Sequence, residues 1–251
     1  MEVIDVHAHL NFPDFDVDRA VVAERARVAG VGMINVGTDV ATSSQAVDLA
    51  EKFPDTWATV GQHPNESAPL DLVVLGELAR RPGVVAIGEC GLDYYRSPTK
   101  AQAENFQIQA DLARRHNLPL MIHCRPTVGT DDAYLDLLAL LEDFPNVIGN
   151  VHFFAGSWPT AQKFIDRGFT LSFTGVITFT NDYDEVISRT PVETIMAETD
   201  CPFVAPAPFR GRRNEPAHVH LVLERLAQIK GLSKKQMVEI TTANARRVFN
   251  L

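Results

Sequence analysis

Two histidines two residues apart, in the opening run Val3-Ile4-Asp5-Val6-His7-Ala8-His9, are the first side chains in this sequence that could do chemistry together. Alternate side chains of a β-strand share a face, so Asp5, His7 and His9 point one way and Val6 and Ala8 the other. Two imidazoles on one face can grip one metal ion. A His-x-His pair alone is a weak signal, but metal-ligating types recur at the ends of later apolar runs. Glu89 lies in Ile87-Gly88-Glu89-Cys90-Gly91-Leu92-Asp93, His123 follows Leu120-Met121-Ile122, His152 follows the run 147–151, and Asp200 closes Ala197-Glu198-Thr199-Asp200. Six ligands exceed what one tetrahedral ion needs and suit two divalent ions about 3.5–4 Å apart. Glu89, with two oxygens, is the expected bridge. His7, His9, Glu89 and Asp200 would surround one ion, and Glu89, His123 and His152 the other. Such a pair acidifies water and polarises phosphoryl oxygens; Asp200 could accept the nucleophile's proton, which makes Glu89 and Asp200 the candidate catalytic residues. Imidazole and carboxylate donors admit Zn, Mn, Mg or Ni.

The elements that must position these residues follow from periodicity. Short apolar runs begin near Glu2, Val31, Trp57, Val84, Pro119, Val147, Phe169 and Thr194, with amphipathic stretches such as 19–29, 101–116, 133–144 and 161–167 between them. Strands apolar on both faces and separated by helices call for parallel pairing with crossovers. Eight units in 251 residues predict an α/β (β/α)8 TIM barrel occupying 1–251 as one domain, with extra C-terminal helices over 216–230 and 233–249, the second capped by Ser233. An open doubly wound sheet is the alternative, but neither G-x-G-x-x-G nor a P-loop is present. All six candidate ligands fall at C-terminal strand ends, where barrel active sites are built.

The loops supply further candidates. His63, in Gly61-Gln62-His63-Pro64, Arg125 after the fifth strand, and Arg210, Arg212 or Arg213 after the eighth could neutralise phosphates. Asp93 could orient a ligand or cap a turn, and one of Glu198 and Asp200 could orient while the other ligates. Phe153 and Phe154 read as packing residues rather than base-stacking platforms. The cysteines Cys90, Cys124 and Cys201 each follow a candidate ligand and so should face the helix layer as buried thiols, which fits a reducing compartment. A net charge of −9 argues against binding of nucleic acid by bulk basicity, although divalent ions bound in a cleft would reverse the local field there. No leader and no run of about 18 apolar residues is seen, so a cytoplasmic protein with no membrane partner, favoured as a monomer, is expected.

The motifs Asp-Val-His-Ala-His, Gly-Gln-His-Pro, Gly-Glu-Cys-Gly-Leu-Asp-Tyr-Tyr, Ile-His-Cys-Arg, Val-His-Phe-Phe-Ala-Gly, Glu-Thr-Asp-Cys-Pro, Asn-Glu-Pro-Ala-His-Val and Asn-Ala-Arg-Arg-Val-Phe run in order from Asp5 to Phe249. In these the chain resembles the TatD family of metal-dependent deoxyribonucleases. The resemblance implies an amidohydrolase-superfamily barrel, a divalent-metal centre on the six ligands, and hydrolysis of DNA phosphodiesters, often from the 3′ end. The expected substrate is DNA, as ends or short single strands. The chain departs from the family at Phe153, where a cysteine is usual, and at Pro126, where an acidic residue is frequent. A barrel hydrolase of C–N or C–O bonds, an amidase or lactonase, is the competing reading. Many such relatives bridge their metals through a carbamylated lysine at the fourth strand, whereas this sequence offers Glu89 there and no lysine at any predicted strand end. A non-catalytic binding protein on the same scaffold fits an unbroken ligand set poorly.

Overall fold

The apolar runs form strands and the amphipathic stretches form helices in the computed structural model, which describes residues 1–96 and 100–251. The strands are β1 (Val3–Ala8), β2 (Val31–Val36), β3 (Thr56–Val60), β4 (Val84–Asp93), β5 (Leu120–Arg125), β6 (Gly149–Val151), β7 (Thr170–Phe173) and β8 (Ile195–Ala197). Each pairs in parallel with the next, in the order β1 to β8. The ring closes where Ala8 bridges Cys201: the His9 amide donates to the Cys201 carbonyl at 2.8 Å and the Asp200 amide to the His7 carbonyl at 2.9 Å. The result is the (β/α)8 barrel that the alternation predicts.

Helices α1 (Arg19–Val28), α2 (Val40–Lys52), α3 (Leu72–Leu78), α4 (Lys100–His116), α5 (Asp132–Leu141), α6 (Trp158–Asp166), α7 (Asp184–Arg189) and α8 (Val219–Lys230) follow successive strands, and α9 (Lys234–Phe249) ends the chain. Of the two closing helices expected, α8 is thus the barrel's own eighth helix and only α9 is extra. The segment 216–230 also divides, since Pro216–His218 forms a 3-10 turn ahead of α8. Ser233 caps α9 as expected, accepting from the Gln236 amide within a capping box.

The larger core lies between sheet and helices and contains Phe106, Tyr134, Leu137, Phe154, Phe164 and Phe169. A second cluster joins Ile4, Val6, Ile34, Val36, Met121 and Met196 to Ala245, Val248 and Phe249 of α9. Asn244 donates to the Ile195 carbonyl at 2.8 Å and Thr242 to the Glu2 carbonyl at 3.3 Å, so α9 stoppers the N-terminal end of the barrel. The C-terminal rim is left for the site. Among the described residues no helix is long and apolar enough to cross a membrane.

Candidate metal centre

Period-two alternation alone would not aim these side chains correctly, because the strands carrying them are irregular where it matters. The β1–β2 register shifts between Asp5 and Ala8, and the β4–β5 register between Ile87 and Cys90. As a consequence Asp5 leaves the histidine face it was expected to share. Its carboxylate turns to Thr199, accepting from the amide at 2.9 Å and the hydroxyl at 2.5 Å. His7 and His9 converge, their Nε2 atoms 3.0 Å apart, and both are buried. In β4, Gly88 and Gly91 take φ values of 143° and 146°, with Cβ positions that would strike the Met121 and His123 carbonyl oxygens. Only glycine lets β4 lie this close to β5 on either side of Glu89.

Glu89 sits at the centre. Its Oε2 faces His7 and His9, at 3.5 and 3.7 Å from their Nε2 atoms. Its Oε1 faces His123 Nδ1 and His152 Nε2, each at 2.9 Å. Asp200 Oδ1 stands 3.4 Å from His9 Nε2 and 3.7 Å from His7 Nε2. The fold therefore brings all six strand-end residues to one place. The donor atoms of His7, His9 and Glu89 lie within 4.8 Å of one another, as do those of His63, Glu89 and His123.

The outer partners of the rings fix which nitrogen is available. A carbonyl oxygen only accepts, so the 2.9 Å contact of His9 Nδ1 with Val36 O places the proton on Nδ1 and leaves the Nε2 lone pair facing the cluster. His123 Nε2 lies 3.3 Å from Asp93 Oδ2, which leaves Nδ1 inward. Asp93 also accepts from Asn65 Nδ2 at 2.7 Å and from the Arg96 amide at 3.0 Å, so it both orients a ligand candidate and caps a turn. Glu198 approaches His152 Nδ1 at 3.4 Å, at an angle too poor for a hydrogen bond, and accepts from the Phe153 amide at 2.8 Å and from Ser172 Oγ at 2.5 Å. Of the two acids left open by the sequence, Asp200 faces the histidines and Glu198 stands behind one. Their division follows from the chain leaving β8 at Ala197, after which Asp200 adopts φ 53°. Phe153 is likewise left-handed at φ 45°.

The electrostatics suit a cation. Burial, together with neighbouring His152, holds the His7 imidazole below its ordinary range, so the neutral, ligating form prevails. Burial alone would raise the Glu89 carboxyl, but His152, His63 and His123 hold it well below the usual carboxylate range. His7 Nδ1 is buried with no hydrogen-bond partner. Burial would lower the His123 and His152 imidazoles, but Asp93 and Glu89 beside the first and Glu89 and Glu198 beside the second hold them above their ordinary range. Four imidazoles and two carboxylates gathered in a buried spot match the donor set of a divalent-metal centre, whose cation would displace the protons they share. Among the described residues, the ion-pair partners of Glu89 and Asp200 are all histidines, with no lysine among them.

The remaining candidates divide. His63 is close, with Nε2 at 3.6 Å from Glu89 Oε1 and its ring 4.3 Å from that of His123. Burial pushes its pKa down to about 3, with His123 adding to the effect, so it is neutral and does not supply the expected positive charge. Its Nδ1 accepts from the Asn65 amide at 3.0 Å, which puts the proton on Nε2 and makes it a donor. Arg125 is exposed and lies over the Tyr95 ring at 3.7 Å, and Arg210 lies over Phe179 at 4.3 Å. Arg212 is exposed. Arg213 is committed elsewhere, paired with Asp18 at 2.6 Å and donating to the Asp14 carbonyl at 2.7 Å. Phe154 is fully buried against Tyr134, as expected of a packing residue, and all three cysteines are free and buried.

Three features escaped sequence reasoning. Asn214 is buried and donates to the Thr199 and Phe203 carbonyls, each at 2.8 Å, bracing the loop that carries Asp200. The aromatics Phe12 and Phe203 border His9, with ring centres at 4.3 and 6.3 Å. Tyr95 stands beyond Asp93 on the opposite side. Asn214 falls in the Asn-Glu-Pro-Ala-His-Val motif and Tyr95 in Gly-Glu-Cys-Gly-Leu-Asp-Tyr-Tyr, which were the signals available for them, whereas Phe12 and Phe203 offered only their closeness in sequence to His9 and Asp200.

Residues 4–250 match the family model described as TatD related DNase. The chain is 39% identical to YabD of Bacillus subtilis, described as an uncharacterized metal-dependent hydrolase, with 99% of each chain covered. It is 35% identical to the 3′-5′ ssDNA/RNA exonuclease TatD of Salmonella typhimurium, again over 99% of each. The crystal structure of YJJV, a TatD homologue from Escherichia coli K12, superposes with a TM-score of 0.91 at 28% identity, covering 100% of this chain and 98% of that one. An end-to-end match of this kind, on a barrel whose rim gathers four histidines and two acids, means that the chain belongs to the TatD related DNase family and is a metal-dependent hydrolase.

Proposed function

We propose that the protein is a phosphodiesterase that shortens single-stranded DNA from its 3′ end, using a dinuclear centre bridged by Glu89. The observation that carries this reading is the placement of Glu89, one oxygen toward His7 and His9 and the other toward His123 and His152. The name of the Salmonella typhimurium relative supports a nucleic-acid substrate and the 3′ polarity. His7, His9, Glu89 and Asp200 would hold one ion and Glu89, His123 and His152 the other. When bound, two divalent ions acidify water and withdraw charge from phosphoryl oxygens.

The chain's own residues do the rest. Asp200 is held ionised: burial would raise its carboxyl, but His9 and His7 pull it below the usual range, so it is ready to accept a proton from an attacking water. His63, neutral and protonated on Nε2, donates a hydrogen bond to a phosphate oxygen, and Arg125, Arg210 and Arg212 meet flanking phosphates from the rim. The three free buried cysteines suit a reducing compartment, and we place the enzyme in the cytoplasm as a monomer.

The test strips the protein with chelator, restores single metals, and offers 3′-labelled and 5′-labelled single-stranded DNA beside bis(4-nitrophenyl) phosphate and a carboxylic ester or lactone. Stepwise shortening from the 3′ end is expected, abolished by chelation and reduced at least a hundredfold, about the scale of one lost electrostatic group, in Glu89→Gln. Hydrolysis of the ester with none of either phosphodiester would assign the barrel to C–O bond chemistry instead.

A further inference from the structure

Among the described residues, every aromatic side chain is buried or partly buried except two, Tyr95 at 53% and Phe203 at 50% exposure. Both stand on the rim that carries the ligand cluster. Phe203 follows β8 and its ring centre is 6.3 Å from that of His9. Tyr95 follows β4, two residues beyond the Asp93 that touches His123. In a closed ring of eight strands β4 and β8 lie opposite each other, so the two rings bracket the cluster from facing sides.

We propose that Phe203 and Tyr95 are stacking platforms for the unpaired bases of single-stranded nucleic acid, one on each side of the scissile phosphodiester. The inference rests on the phosphodiesterase reading above. An isolated exposed ring needs no explanation, but two exposed rings confined to one functional rim do. Both are held in place. The Phe203 carbonyl accepts from buried Asn214, and its amide donates to the Asp200 carbonyl at 2.9 Å. Tyr95 sits in a turn closed by the Asp93 carboxylate on the Arg96 amide, and the Arg125 guanidinium backs its ring at 3.7 Å. Arginine behind an aromatic ring pairs a cation with a stacking surface, a recurring arrangement for single strands. Charge complementarity is local, since a chain of net charge −9 cannot hold a polyanion by bulk attraction. Stacking supplies binding that does not depend on that balance, and bases paired in a duplex cannot splay onto separate rings.

The experiment measures fluorescence anisotropy of a phosphorothioate-linked oligothymidylate, and of the same backbone without bases, on metal-loaded protein. Phe203→Leu and Tyr95→Leu keep apolar bulk but remove the ring. Each is expected to bind the base-bearing strand about tenfold more weakly, the scale of one stacked base, so that the preference over the abasic strand collapses. Phe203→Trp and Tyr95→Phe should restore it. Leucine variants that retain the preference, or that weaken both strands equally, would overturn the platforms, as would tighter binding of the duplex form. Cleavage of the ordinary phosphodiester oligomer is followed in parallel. Base preference in the wild type with no cleavage would sink the nuclease reading alone, whereas cleavage without base preference would sink the platforms alone.

Discussion

Glu198 shows how one carboxylate can act through another residue. It lies behind His152 while it also accepts from the Phe153 amide and from Ser172, so its two oxygens tie β6, β7 and β8 together at the depth of the cluster. Partners behind a metal-ligating imidazole usually matter about 10–100-fold for metal affinity or activity. Glu198→Gln is therefore expected to weaken metal binding by that factor, read by competition with a chromophoric chelator, while far-ultraviolet circular dichroism stays unchanged. An unaltered metal affinity would reduce Glu198 to a packing residue. His63 illustrates the converse. The sequence offers an imidazole near the candidate ligands, but the burial that neutralises it comes from neighbours distant in the chain.

At the scale of elements, β4 depends on its glycines. At Gly91 an alanine Cβ would strike the His123 carbonyl oxygen, on a backbone that L residues rarely adopt. Gly91→Ala should destabilise the fold by at least about 2 kcal/mol, the scale of a strained backbone residue, and should lower activity by displacing Glu89 relative to His123. Urea unfolding checks the first part, and a midpoint equal to wild type would contradict it. The loop after β8 is tied from outside by Arg213, whose hydrogen bond holds the Asp18 carboxyl below its ordinary range. A carboxyl depressed in the folded state contributes stability above its unfolded pKa of about 3.9 and loses it as pH falls through the lower folded value. Arg213→Ala should therefore melt at a lower temperature than wild type at pH 7, and the gap should close as pH is taken below about 4. A gap independent of pH would place the effect in the packing of Arg213 on Phe15 instead.

For the whole molecule, the cost of collecting four imidazoles and two carboxylates at one buried rim is expected to make bound metal contribute to stability. Ions that bind the folded state alone stabilise it by about 2.7 kcal/mol at a hundredfold excess over the dissociation constant. Chelation is expected to lower the melting temperature by several degrees, about the shift such an energy gives at this size, with recovery on adding back divalent metal. A chelator-insensitive melt would mean that the cluster is stable without a cation. The sequence by itself determined the barrel and the positions of its six strand-end residues. Apolar runs alternating with amphipathic stretches leave few topologies, and in a barrel the C-terminal strand ends share one rim whatever the loops do. Only the tertiary structure decided that Asp5 turns away while His7 and His9 meet, that Asp200 rather than Glu198 faces the histidines, that Arg213 is spent on Asp18, and that Tyr95 and Phe203 stay in solvent. Each of these depends on a register shift, on where a strand ends, or on a neighbour brought from a distant part of the chain, and spacing along a sequence carries no record of them.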